Sequence, residues 1–321
     1  MSAKHRILTL VAGLAAVLLA GGGSLAGAPL QKTQAPGYYR MMLGDWEVTA
    51  LSDGTFQMPV EKLLVGITPE HLKAALDRAF LSAPVEASVN AFLINTGSKL
   101  VLIDSGAGVL FGPTLGKLLV NLQAAGFRPE QIDEIYITHM HGDHVGGLVQ
   151  DGRRAFPNAV VRAASEEAGQ WLNQAKMEAA PADAKGGFQA AMGALQPYVD
   201  AGKFKTFQGE TELVPGIRAV PAHGHTPGHT VYVAEHQGQR IVFWGDLMHV
   251  AAVQFDDPAV AIHYDSDVTA AIAERKKVFA EAAAHGDWVA GAHMPFPGLG
   301  HLRTGDSAYR FVPANYTTQL H

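Results

Sequence analysis

The chain has 321 residues, 48% of them hydrophobic, no cysteine and a formal net charge of −6 at neutral pH, enough apolar content for a large globular domain and none of the marks of a disordered chain or a repeat array. Acidic residues outnumber basic ones 30 to 24 and no Lys/Arg run exceeds the three of Arg275-Lys276-Lys277, so a phosphate backbone finds little to hold and nucleic acid is excluded as an expected partner. The absence of cysteine excludes disulfides, thiolate metal sites and cysteine nucleophiles, leaving the 15 histidines and the carboxylates as strong ligands.

Residues 1–28 follow the pattern of a secretory leader: basic Lys4 and Arg6, an apolar run from Ile7 to Ala20, a Gly21-Gly22-Gly23-Ser24 stretch and a small-residue Ala26-Gly27-Ala28 end. The expected cut after Ala28 takes the formal charge from −6 to −8 and places the chain in the periplasm or outside the cell with no stable membrane anchor. The apolar run is shorter than the roughly 18–20 residues of a spanning helix; a retained anchor is the alternative. Residues 29–37 read as a linker and 38–321 as one domain.

Trp46 to Leu51, a turn at Asp53-Gly54 and Phe56 to Met58 read as a hairpin, and Val89 to Asn95 with Leu100 to Asp104 as another. Thr68-Pro69 opens a helix with apolar Leu72, Ala75, Leu76 and Ala79, and Thr114 to Ala125, closed by Gly126, forms a second. Glu134 to Thr138 is a short buried strand. Further strands are expected at 159–163, 205–207, 217–221, 230–235, 240–244 and 288–290, with helices at 165–178, 188–201 and 267–284. This alternation predicts an α/β fold in which two sheets pack face to face with helices outside.

The strand at 134–138 runs into Thr138-His139-Met140-His141-Gly142-Asp143-His144. His139 and His141 are two apart, so on extended backbone both imidazoles point to one side and can grip one ion. Asp143 and His144 follow a glycine, where the chain can turn toward a second ion. His225 in Gly224-His225-Thr226-Pro227-Gly228-His229 lies on a turn-rich loop, Asp246 follows the apolar strand ending in Phe243-Trp244, and His293 ends the strand at 288–290. Of the other histidines, His71, His236, His285 and His321 read as solvated, His223 and His229 as loop residues or supports behind a ligand, His263 and His301 as surface or structural, and His249 as a pocket wall near Asp246. Asp104, at the end of Leu100 to Ile103, is expected to orient a ligand imidazole through its second nitrogen.

This series, HxHxDH followed by a His in GHTPGH, an Asp in GD and a His in GAH, resembles the metallo-β-lactamase superfamily and its αββα four-layer sandwich. The resemblance implies one divalent metal ion held by His139, His141 and His225, a second by Asp143, His144 and His293, Asp246 bridging them, and a bridging hydroxide as nucleophile. Zinc is the expected metal, with manganese, iron and cobalt also compatible with His and Asp ligands. The segments Leu110 to Gly116 and Met294 to Gly298 resemble the methyl parathion hydrolase and acyl-homoserine lactonase branch, which implies a substrate pocket walled by Phe111, Trp171 and Phe188. Gly142 departs from that hydrolase group, which more often has proline there.

The expected activity is hydrolysis of a small-molecule organophosphate triester, lactone or carboxylic ester, with Asp143 also shuttling a proton to the leaving group. The alternatives are a glyoxalase-type thioesterase and a non-catalytic di-metal, di-iron type, redox or binding protein. The related hydrolases suggest a homodimer.

Overall fold

The computed structural model describes residues 28–305 and 308–320, so the leader expected over 1–28 lies almost wholly outside the described residues, as does His321. From Pro36 onward the chain forms one unit built on two seven-stranded sheets. The first contains β1 (Tyr38–Leu43), β2 (Trp46–Met58), β3 (Val85–Asn95), β4 (Leu100–Ile103), β5 (Glu134–Tyr136), β6 (Val160–Ala164) and β7 (Phe204–Phe207), in that spatial order. β1 to β4 pair antiparallel and β4 to β7 parallel. The second contains β8 (Thr211–Val214), β9 (Ile217–Pro221), β10 (Thr230–His236), β11 (Gln239–Phe243), β12 (Trp288–Ala290), β13 (Leu299–Thr304) and β14 (Tyr309–Pro313). There only β11 and β12 are parallel.

Alternation along the strands produces three apolar layers. In β3, Phe92 and Ile94 point to the space between the sheets and meet Tyr232, Ala234, Ile241 and Phe243 of the second sheet. Ala91 and Leu93 point the other way, against Leu118 and Leu122 of α2 (Leu118–Ala124) and Leu195 and Tyr198 of α5 (Lys185–Asp200). On the far side Val231, Val233 and Val242 are covered by Val278, Phe279 and Ala282 of α6 (Val268–His285). The remaining helices are α1 (Pro69–Arg78), α3 (Ser165–Trp171) and α4 (Gln174–Ala179), besides single turns. The four layers follow the expected sandwich, and the central strands β3, β4, β10 and β11 read as near-continuous apolar runs because they are covered on both faces.

Several local expectations change. Asp53-Gly54 is not a hairpin turn. β2 runs straight through it, with a register shift opposite β3 between Ser52 and Gly54, a bulge that turns the Asp53 carboxylate inward. There it accepts the amides of Ala107 and Gly116 on Oδ2, at 2.9 and 3.0 Å, and of Leu118 on Oδ1 at 3.1 Å. Because those amides are taken by a side chain, the helix expected from Thr114 starts only at Leu118. The helix expected over 165–178 breaks at Leu172, where Asn173 accepts the Lys176 amide and starts α4. The strands β1, β8, β13 and β14 fall outside the expected strands.

The ligand-bearing loops leave neighbouring strand ends. Phe243 and Ala290 are register partners, so Asp246 and His293, each three residues further on, emerge side by side. The Thr230 amide donates to the Thr138 carbonyl at 2.9 Å, which docks the start of β10 on the chain that follows β5. Among the described residues no helix is long and apolar enough to cross a membrane.

Candidate metal centre

Seven side chains from four loops converge. His139, His141, His225 and Asp246 present atoms within 4.8 Å of one another, as do Asp143, His144 and His293. Asp246 lies between the two sets. Its Oδ1 is 3.1 Å from His144 Nε2 and 3.2 Å from His293 Nε2; its Oδ2 is 3.3 Å from His225 Nε2 and 3.6 Å from His139 Nε2. His141 turns Nδ1 inward, 3.1 Å from His225 Nε2, and Asp143 Oδ2 stands 3.4 Å from His293 Nε2. Nitrogens and oxygens bound at ~2.0–2.1 Å to one tetrahedral ion lie roughly 3.3 Å apart, and these separations match.

The hydrogen bonds around the cluster leave the inward atoms free. Asp104 accepts from Thr138 N and His144 Nδ1, both at 2.8 Å, and from the Thr138 hydroxyl, also at 2.8 Å. That hydroxyl in turn accepts from His139 Nδ1 at 3.1 Å. His225 Nδ1 donates to Asp265 at 2.9 Å and His293 Nδ1 to the Ser88 carbonyl at 2.9 Å. His139 Nε2, His144 Nε2 and Asp246 Oδ1 are fully buried without a hydrogen-bond partner. A buried polar atom left in that state is costly, and a cation is the partner that lone pairs and a carboxylate facing one point would share. The residues present therefore fit two divalent ions.

Charge tells the same story. Burial, helped by neighbouring imidazoles, holds His139 and His141 well below the usual histidine range. Burial opposes charge on His144 and His225 too, but carboxylates override it: Asp246, Asp143 and Asp104 raise His144 well above its ordinary value, and Asp246 and Asp265 push His225 up to about 9. In the metal-free chain, protons on these imidazoles supply the positive charge that Asp246 requires.

The other expected residues are placed as follows. His249 is buried, its Nε2 donates to Asp246 Oδ2 at 3.0 Å, and its Nδ1 has no partner; it lines a cavity of about 460 Å³ with Asp143, Asp246, His293, Phe56, Met58, Phe111, Leu115, Trp171 and Tyr264. Phe111 is half exposed there. The Trp171 ring meets His141 edge-on at 5.3 Å. Phe188 does not reach this cavity; it is buried behind Trp171, ring centroids 4.9 Å apart, and lines the adjoining one. A Cβ on Gly142 would stand 3.1 Å from a Phe111 ring carbon, so glycine in place of proline lets that aromatic settle on the ligand loop. His236 is not solvated but stacked on Trp46, centroids 4.4 Å apart, beside Asp45.

Sequence reasoning missed Asp265, Glu167, Tyr264 and the Phe56–Met58 wall. His229, expected as a loop residue or a support behind the ligands, takes the second role: its ring is buried and accepts the Asp246 amide on Nε2 at 3.0 Å while Nδ1 donates to the Ala222 carbonyl. Asp265 sits 40 residues from His225, and Glu167 sits 27 and 59 residues from Met140 and Thr226, and no local signal marks them.

Comparison with known proteins agrees with the fold and the cluster. The metallo-beta-lactamase superfamily profile matches residues 85–293. A crystal structure of the hydrolase AbOPH, of the beta lactamase superfamily, is 39% identical with a TM-score of 0.85, covering 89% of this chain and 100% of that one. The dizinc quorum-quenching lactonase AidC is 28% identical with a TM-score of 0.81, over 88% and 99% of the two chains. N-acyl homoserine lactonase of Bacillus cereus is 24% identical over 163 residues, 50% of this chain and 56% of that enzyme. The chain spans 37% to 60% of the first curated relatives it matches. The fold, the motif series and these likenesses together establish that the chain belongs to the metallo-beta-lactamase superfamily.

Proposed function

We propose that this chain is a dinuclear metal-dependent hydrolase that opens the ester bond of a lactone, or of a related carboxylic ester, carrying an apolar arm. The observation that carries the reading is Asp246, whose carboxylate stands between the imidazoles of His144 and His293 on one side and those of His139 and His225 on the other, at the floor of an apolar cavity. Two divalent ions bound there, zinc by the ligand chemistry, would supply hydroxide at neutral pH and polarise the oxygen of the bond under attack.

The chain's own residues do the rest. Phe56, Met58, Phe111, Leu115 and Trp171 take the apolar arm and exclude water from the floor. Asp143 is a ligand-type carboxylate whose side chain keeps 19% exposure, so it reaches the cavity and can hold the proton that the leaving oxygen needs. His249 stands in the same wall as Tyr264 with its Nε2 on Asp246, and its ring closes the cavity beside the group being cleaved. AidC, similar over nearly its full length, supports a lactone in preference to a phosphotriester.

The test is kcat/KM of the zinc- or manganese-loaded full chain for a long-chain acyl-homoserine lactone, an aryl carboxylic ester, an acyl thioester and an aryl phosphotriester at one pH. A lactone or carboxylic ester should lead. A phosphotriester lead of more than about a hundredfold, ~2.7 kcal/mol of transition-state preference, would assign the cavity to tetrahedral phosphorus instead. A thioester lead would move the chain to the thioesterases, and no metal-dependent turnover of any of them would leave the non-catalytic reading.

A further inference from the structure

Glu167 is fully buried in the first turn of α3, and nothing in the proposed hydrolysis uses it. Its Oε1 accepts the Met140 amide at 2.8 Å. Its Oε2 accepts the Thr226 hydroxyl at 2.8 Å and the Gly228 amide at 2.9 Å. Met140 stands between His139 and His141, and Thr226 directly follows His225. One carboxylate thus touches the loop after β5, in the first sheet, and the loop between β9 and β10, in the second, each within one residue of an imidazole.

We propose that Glu167 is a positioning residue: it ties these two loops together and sets the spacing of the His139, His141 and His225 imidazoles for a shared metal ion. The proposal rests on the reading that these three hold a metal. The chemistry of the tie requires a carboxylate. Each oxygen meets a backbone N–H, Met140 on Oε1 and Gly228 on Oε2, so the group between them must accept on both atoms, and glutamine could present only one acceptor, leaving the Met140 or the Gly228 amide facing an NH2 group. An ionised carboxylate is also a costly filler for a position that an apolar side chain could occupy. The contact is close: a Cβ on Gly228 would come 2.3 Å from the Glu167 amide nitrogen, so only glycine lets the second loop lie on this turn. The same helix carries Trp171 against His141, so the loop tie and the cavity wall share one element.

The experiment is zinc titration of the chelator-stripped full chain against a competing chromophoric chelator, with visible spectra of the cobalt-loaded chain. It compares the wild type with Glu167→Gln, Thr226→Val and Asp287→Asn. Asp287 is buried and paired with Arg240, and its variant controls for the loss of a buried carboxylate as such. The wild type should take two ions. Glu167→Gln should weaken one of the two by about 10–100-fold and shift the cobalt bands of that ion only. Thr226→Val should move both readouts less in the same direction, and Asp287→Asn should move neither.

A folded Glu167→Gln that binds both ions like the wild type overturns the proposal. If Glu167→Gln does not fold, an unchanged Thr226→Val overturns it. A wild type that binds no ion overturns the metal reading itself and this tie with it, a pattern distinct from the first two.

Discussion

Of the seven converging side chains only His141 and Asp143 are not fully buried, and Asp143 is the carboxylate of the two. Asp246 is enclosed by imidazoles on all sides and His293 is locked to the Ser88 carbonyl, whereas Asp143 keeps exposure toward the cavity. A group that only binds metal has no need of that opening, but one that delivers a proton does. Asp143→Asn should therefore lower kcat by about 10²–10⁴-fold with little change in KM. The loss should be larger for a lactone, whose alkoxide leaving group needs a proton, than for an aryl ester, whose phenolate does not. Equal losses for both would assign Asp143 to metal binding alone. The residue scale is also where the sequence was most legible: alternation in an extended backbone aligns His139 with His141, and that rule needs no tertiary knowledge. Asp104 was legible for the same reason, at the end of an apolar strand beside the motif.

At the scale of elements the same carboxylate chemistry reads differently. Asp-Gly between two β-rich runs has the local signature of a tight turn, and only the partner strand shows that the chain continues through a bulge. What decides is the set of amides that the Asp53 side chain meets from residues 107–118, more than fifty positions away. Those contacts also staple both ends of the segment that carries Phe111 and Leu115 into the cavity. Removing the acceptor in Asp53→Ala leaves three amides short of a partner, and thermal or denaturant unfolding should register a loss of about 2–4 kcal/mol. KM for an ester with a long apolar arm should rise as the wall loosens, while a short-armed ester is less affected. A stability loss under about 0.5 kcal/mol would show that water replaces the carboxylate and that the staple is not structural. Glu167 and Asp265 were illegible by the same logic, because their partners are chosen by the packing of α3 and of the segment before α6, not by neighbours in the chain.

At the scale of the molecule, two sheets bring four strand ends to one place and leave a carboxylate among imidazoles, and the consequence is a linkage between metal, protons and stability. In the metal-free chain, burial disfavours a charged His225, yet Asp246 and Asp265 raise it from 6.5 to about 9. A raised folded pKa means that this contribution to stability is complete below about pH 6.5 and is lost as pH climbs through about 9. Asp265 and Asp246 are held low by the imidazoles against their burial, so their contribution is present above their ordinary value of 3.8 and lost only as pH falls through the lower folded values. Burial holds His139, His141, His229 and His249 below the usual histidine range, so the unfolded chain takes up protons there that the fold does not as pH drops under about 6.5, and the metal-free fold should be most stable near about pH 6.5 and weaken toward both about pH 4 and about pH 9. Metal uptake needs bare nitrogens and must expel the same protons, so its affinity rises over the same interval. The Tm gap between zinc-loaded and chelator-stripped chain should widen from about pH 6 to about pH 9, and zinc binding near pH 7 should release protons measurable in buffers of different ionisation enthalpy. A gap that does not change with pH would mean that the imidazoles around Asp246 are already neutral without metal, and that the carboxylate's partner in the stripped chain is water.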